Sequence, residues 1–142
     1  MYKSILLTID INDPASWERA LPAALELCRD CGAKLHVLTV VPTYRMPIVE
    51  GFFPPDFEKK AIRKTGEALK TLLDSLLPDD RHAEAHVRVG VVHSEILSAI
   101  KSIGADMVIM ASHPPDRMRD FLIGSNADRV VRNSPVSVLV VR

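Results

Sequence analysis

Three groups of residues in this chain have the types and spacing to do chemistry. The first is Gly124-Ser125-Asn126. Glycine lets a backbone approach a ligand closely, and Ser125 and Asn126 add hydroxyl and amide donors. A helix start also carries unpaired N–H groups and a partial positive charge, so the triplet can cradle a phosphate; it is equally a plain helix N-terminus, and the pattern alone favours that reading. His113, Arg117 and Arg119 lie upstream and can supply charge-assisted donors to a phosphate chain. The second group is His82-Ala83-Glu84-Ala85-His86. On a strand, residues 82, 84 and 86 share one face, and two imidazoles with a carboxylate can hold a metal. The same alternation describes the solvated face of an edge strand, kept polar against aggregation, and the pattern favours that reading. The third group is Cys28-Arg29-Asp30-Cys31. A reactive pair of this spacing sits at a helix N-terminus, whereas this one ends a helix, where the dipole disfavours a thiolate. Its expected role is packing. No nucleophile, base and orienting group come together around His113 or Ser125, so no catalytic residue is assigned. A phosphate-accepting Ser125, in a slow ATPase or autokinase, ranks last.

The elements that must position these groups alternate along the chain. Apolar runs at 3–9, 34–41, 106–111 and 136–141 read as buried strands, and 83–89 alternates as a half-exposed edge strand. Helical spacing of apolar residues runs from 15 to 31, from 56 to 77 and from 94 to 103, and a last helix opens at Gly124 and runs to about Asn133. Asp13 and Pro14 suit the start of the first helix, Pro22 predicts a kink or break near residue 21, and Gly32 suits its end. The alternation is that of an α/β fold: an open, doubly wound parallel sheet with helices on both faces. Ligands of such sheets sit beyond the carboxyl ends of the strands. That singles out Thr8, Ile9 and Asp10, then Val40, Val41 and Pro42, then the stretch from Ala111 to Gly124. Residues 42–55 are rich in proline and carry Tyr44, Phe52 and Phe53, which, with Phe57, suit a lid or a partner surface.

Composition narrows the classes. The chain has 142 residues, the usual size of one domain, so 1–142 reads as a single unit. With 47% hydrophobic and 25% charged residues it is expected to fold rather than stay disordered. Lys plus Arg equals Asp plus Glu at 18 each, which argues against nucleic acid as a partner. No apolar run approaches the roughly 20 residues of a bilayer span, and the opening Ile5-Leu6-Leu7 is too short for a signal-peptide core. A cytoplasmic protein is expected.

The residues also carry a specific resemblance. Ile5-Leu6-Leu7-Thr8-Ile9-Asp10, Leu38-Thr39-Val40-Val41-Pro42, Val89-Gly90-Val91 and Ala111-Ser112-His113 resemble the universal stress proteins, end to end. The strongest stretch is Leu122 to Arg132 followed by Pro135 to Val141. The resemblance implies a Rossmann-like five-stranded sheet in the order 3-2-1-4-5, and a homodimer through the closing strand Val136–Val141, or a tetramer. It also implies ATP, with or without Mg2+. The nucleotide-binding branch spaces Gly, two residues, Gly, nine residues, Gly-Ser/Thr. Here the first glycine falls on Ala111 and the second on Pro114, and Gly124-Ser125 is retained. The form Ala-Ser-His-x-Pro-Asp resembles one bacterial subgroup. By analogy Ile9 and Val40 meet adenine, Asp10 meets ribose, and Thr8, Ala111, Ser112, His113, Arg117, Gly124, Ser125 and Asn126 complete the site. Two readings follow: an ATP-binding stress-response regulator with an unidentified protein partner, or a dimeric interaction module whose ATP loop has degenerated.

Overall fold

Apolar runs long enough to cross a core, broken by turn residues, become the strands of a parallel sheet with helices returning across both faces. The computed structural model describes residues 1–43, 56–112 and 125–142. Its strands are β1 (Ser4–Ile9), β2 (Lys34–Pro42), β3 (Ala83–Gly90), β4 (Met107–Ala111) and β5 (Ser137–Val141). Its α-helices are α1 (Ala20–Cys31), α2 (Phe57–Leu76), α3 (Val92–Ile103) and α4 (Ser125–Asn133). The strands lie in the order β3-β2-β1-β4-β5, all neighbours parallel, as expected from the sequence. β1 is central, with Leu7 in register with Val37 of β2 and Ile109 of β4.

Strand side chains alternate between faces, so one sheet feeds two cores. Ile5, Leu7, Val37 and Ile109 pack with Ala24, Cys28, Leu69 and Leu73 of α1 and α2. Leu6, Leu38, Val108 and Met110 pack with Ile96, Ile100, Ala127 and Val130 of α3 and α4. Full burial of each Leu or Ile is worth about 1.5–3 kcal/mol, so the β1–β4 centre is the most strongly held part of the molecule. The two edges differ in kind. β3 is half-buried along its length, with Glu84 exposed, and β5 carries four half-buried residues after an exposed Ser137.

The expected interruption of the first helix is present as a break rather than a kink, and it falls between Ser16 and Ala20, just ahead of residue 21. Pro14–Ser16 is a separate 3-10 turn, capped by Asp13, whose carboxylate accepts the Ala15 N–H. The α-helix begins only at Ala20, which makes Pro22 its third residue. The first four N–H groups of a helix have no intrahelical partner, so proline loses nothing there and no kink is needed. α3 likewise opens at Val92, two residues before the expected Ser94. Gly32 and Gly104 end α1 and α3 at φ 67° and 75°, the left-handed conformation that glycine adopts without strain.

Candidate functional site

The carboxyl ends of β1, β2 and β4 open into a cleft of about 370 Å³, at the low end of the size of cofactor sites. Parallel strands place their last residues on one edge of the sheet, and the strand order reverses between β1 and β4. That is where an open α/β sheet leaves a crevice. Thr8, Ile9 and Asp10 enter from β1, Val40 from β2, Ala111 and Ser112 from β4, and Ser125 and Asn126 from the start of α4. With Pro42 of β2, nine sequence-predicted residues, distant in sequence, therefore meet at one place. Val41, on the opposite face of β2 from Val40, does not line the cleft. His113, Arg117 and Gly124, and with them Pro114 and the lid residues Tyr44, Phe52 and Phe53, lie outside the described residues.

The cleft has an apolar wall and a polar rim. Leu38, Val40 and Pro42 form one row of alternate residues on β2, faced by Val92 and Ile96 of α3. Sequence reasoning missed Leu38, Val92 and Ile96, because their apolar character is equally that of core. At the rim, the turn after β1 is tightly organised. The Asp10 N–H donates to Ser16 Oγ at 2.9 Å, and Ser16 Oγ lies 2.7 Å from the Asp13 carbonyl oxygen. Asp10 Oδ1 accepts the Asn12 N–H at 2.9 Å, which fixes the carboxylate at the mouth. Asp13 and Ser16 also line the cleft; Asp13 reads in sequence only as a cap. Ser112 is buried, and its N–H continues the β4–β5 ladder by donating to the Val141 carbonyl at 2.8 Å. Among the described lining residues the full charges are the carboxylates of Asp10 and Asp13, both at the β1 end. The first turn of α4 supplies the opposite pole, a helix N-terminus with Ser125 exposed. A ligand with a flat apolar part, hydroxyls and an anionic tail matches that order of surfaces.

The other two sequence groups are elsewhere. Cys28 is buried in the α1 face and Cys31 half-buried, both as free thiols. Burial first, and then Cys31, push the Cys28 thiol up to about 11, which suits packing. His82 precedes β3 and lines a separate hollow with Asp74 and Arg81, so it does not join Glu84 and His86. Their companion is His36 of β2, a residue the sequence hides inside the run Lys34-Leu35-His36-Val37-Leu38. The available signal was an imidazole on an otherwise apolar strand.

Comparison with known proteins is consistent along the whole chain. The model of the universal stress protein family matches residues 1–142. Universal stress protein G of Shigella flexneri is 31% identical over 144 residues, with both chains covered completely. A universal stress protein family structure from Burkholderia pseudomallei superposes with a TM-score of 0.69 at 26% identity, over 99% of this chain and 96% of that one. A universal stress protein solved in complex with cAMP shares the fold at a TM-score of 0.62 and 19% identity, over 99% and 97% of the two chains. With the complete family match and the complete overlap with a relative of this identity, the chain belongs to the universal stress protein family.

Proposed function

We propose that the β1–β4 cleft binds an adenine nucleotide, ATP with or without Mg2+, and that the chain is a cytoplasmic stress-response regulator working as a homodimer or tetramer. In this reading residues 1–142 form one domain with one site. The observation that carries it is the order of surfaces in the cleft. The Leu38–Val40–Pro42 wall takes the base, the Asp10 carboxylate takes the ribose hydroxyls, and the α4 N-terminus with Ser125 and Asn126 takes the phosphates. The cAMP complex of a fold relative supports the adenine class. Dimerisation is supported by β5, an apolar edge strand whose pairing with a second copy would cover its open side. Occupancy of the site then alters how the dimer meets its protein partner. No step of hydrolysis is assigned to these residues.

The second reading, a dimeric interaction module without nucleotide, is favoured by one observation: Ala111 puts a methyl group into the cleft where the resemblance has glycine. Denaturing freshly purified protein and weighing the released small molecules by mass spectrometry separates the two. Near-stoichiometric ATP, ADP or AMP is the expected result. No released nucleotide, together with no thermal shift in millimolar ATP and Mg2+, overturns the nucleotide reading and leaves the interaction module.

A further inference from the structure

At the opposite end of the same sheet face lies a second cluster, and we propose that His36, Glu84 and His86 form a binding site for one divalent transition-metal ion of the zinc type.

The backbone dictates the cluster. β2 and β3 pair in parallel with His36 in register with Glu84 and Leu38 with His86. Glu84 and His86 are two apart on β3, so they project from one face, and the adjoining strand brings His36 to that face. His36 Nδ1 lies 2.9 Å from His86 Nε2 and 3.8 Å from Glu84 Oε2. The three ligand atoms all lie within 4.8 Å of one another. Ligands about 2.0–2.1 Å from a tetrahedral zinc are separated from each other by about 3.3 Å. The two ring nitrogens must therefore open from 2.9 Å to that spacing, and Glu84 must close from 3.8 Å. Both are side-chain adjustments, and the half-exposed β3 leaves room for them.

The chemistry suits a metal of intermediate softness. Two imidazole nitrogens and one carboxylate oxygen favour zinc, copper or nickel over magnesium or calcium, and leave a coordination position for water. Metal binding needs neutral imidazoles and an ionised carboxylate. Burial, and then the neighbouring His86, lower the pKa of His36. Burial, and then the Arg88 charge against an opposing pull from Glu84, lower that of His86. The Lys34 ammonium, 2.6 Å from Glu84 Oε2, holds that carboxylate ionised. Lys34 is the resident cation a metal must displace, and its exposed side chain can swing into solvent. Arg88, the next charge along β3, is directed to α3, where it meets Ser98, Ser102 and Glu95. It does not compete for Glu84. Without a metal, His36 and His86 must share one proton across a contact that includes a buried ring. A bound ion satisfies both nitrogens at once.

The test uses the full chain stripped with a chelator, without nucleotide, titrated with Zn2+ against a chromophoric competitor and with Co2+ as an absorption probe. The wild type is expected to bind one equivalent and to melt at a higher temperature with Zn2+. His86→Gln and Glu84→Gln, both at half-buried or exposed positions, are expected to weaken binding by at least the 10–100-fold lost when a residue that merely hydrogen-bonds a metal ligand is changed. The cobalt spectrum should collapse with them, while His82→Ala leaves stoichiometry and affinity unchanged. Circular dichroism melts confirm that the variants fold. Absence of binding by the wild type, or binding that survives His86→Gln and Glu84→Gln, overturns the proposal, as does binding that follows His82.

Discussion

Replacing Ser125 with aspartate sets two consequences of one charge against each other. Ser125 opens α4, is exposed, and lines the cleft. An acidic residue in the first turn of a helix interacts favourably with the dipole, typically by about 0.3–1 kcal/mol, so Ser125→Asp should leave the fold as stable as before or slightly more so. A phosphate on the same N–H groups meets that carboxylate at close range. Two like charges 4 Å apart repel by about 1 kcal/mol in bulk water and by about 4 kcal/mol near a protein surface. A rim position between these limits gives about 2 kcal/mol, or roughly 30-fold in affinity. Adenosine, which has no phosphate, should bind the variant as it binds the wild type. Isothermal titration with ATP and with adenosine, beside a urea melt of each protein, reads all three quantities. An ATP affinity unchanged by Ser125→Asp would refute the assignment of the α4 N-terminus to the phosphates. Equal losses for ATP and adenosine would point to a distorted cleft and refute it equally.

Three further outcomes follow from the packing and the protonation states. His36 and His86 both titrate lower in the folded chain than free histidine, so the unfolded chain binds more protons just below pH 6.5. Stability in metal-free buffer is therefore full above about pH 6.5, declines as pH falls from there toward the folded pKa values, and declines less in His86→Gln; a flat wild-type profile of melting temperature from pH 7.5 to 5.5 contradicts this. Cys31 should react with a thiol reagent in the native state while Cys28, buried and with its thiol pushed up to about 11, reacts only on unfolding, as peptide mapping after timed alkylation will show. Ile109→Ala empties a fully buried position on β4 and should cost about 2–5 kcal/mol by urea denaturation, against less than about 0.5 kcal/mol for Val131→Ala on the exposed side of α4.

Much of the architecture is legible in the sequence because strand and helix leave different periods in it. The runs at 34–41 and 106–111 are largely apolar on both faces, as a doubly covered parallel strand requires, and 83–89 alternates because Ala83, Ala85 and Val87 pack on the α1–α2 core while Glu84, His86 and Arg88 take the other face. The start of α1 is not legible in the same way. Trp17 and Ala20 fit a helical stripe whether the chain between them is α-helix or a turn, and Pro22 is compatible with either a kinked middle or a relaxed first turn. Tertiary packing of Trp17 against the α1 face decides it.

The row formed by His36, Leu38, Val40 and Pro42 shows why a site can hide in a strand. In sequence these four alternate with Leu35, Val37, Thr39 and Val41 in one largely apolar run, and apart from the His36 imidazole nothing distinguishes the two sets. In the sheet they form one line on the α3–α4 face. Its carboxyl end is the wall of the cleft, and its amino end carries His36 to Glu84 and His86. Residues near the chain reversal are found by topology alone, since every parallel strand ends on the same edge. His36 needs one more fact, the register between β2 and β3, because a slip of one residue would turn His36 to the other face and leave Glu84 and His86 without it. That register is set by burial rather than by any local motif: Leu35 and Val37 must reach the α1–α2 core while Leu38 reaches the other. The apolar residues that carry no chemistry thus decide where the imidazole goes, which is why the cluster is invisible to a search for spaced ligands on one segment and plain once the two strands are paired.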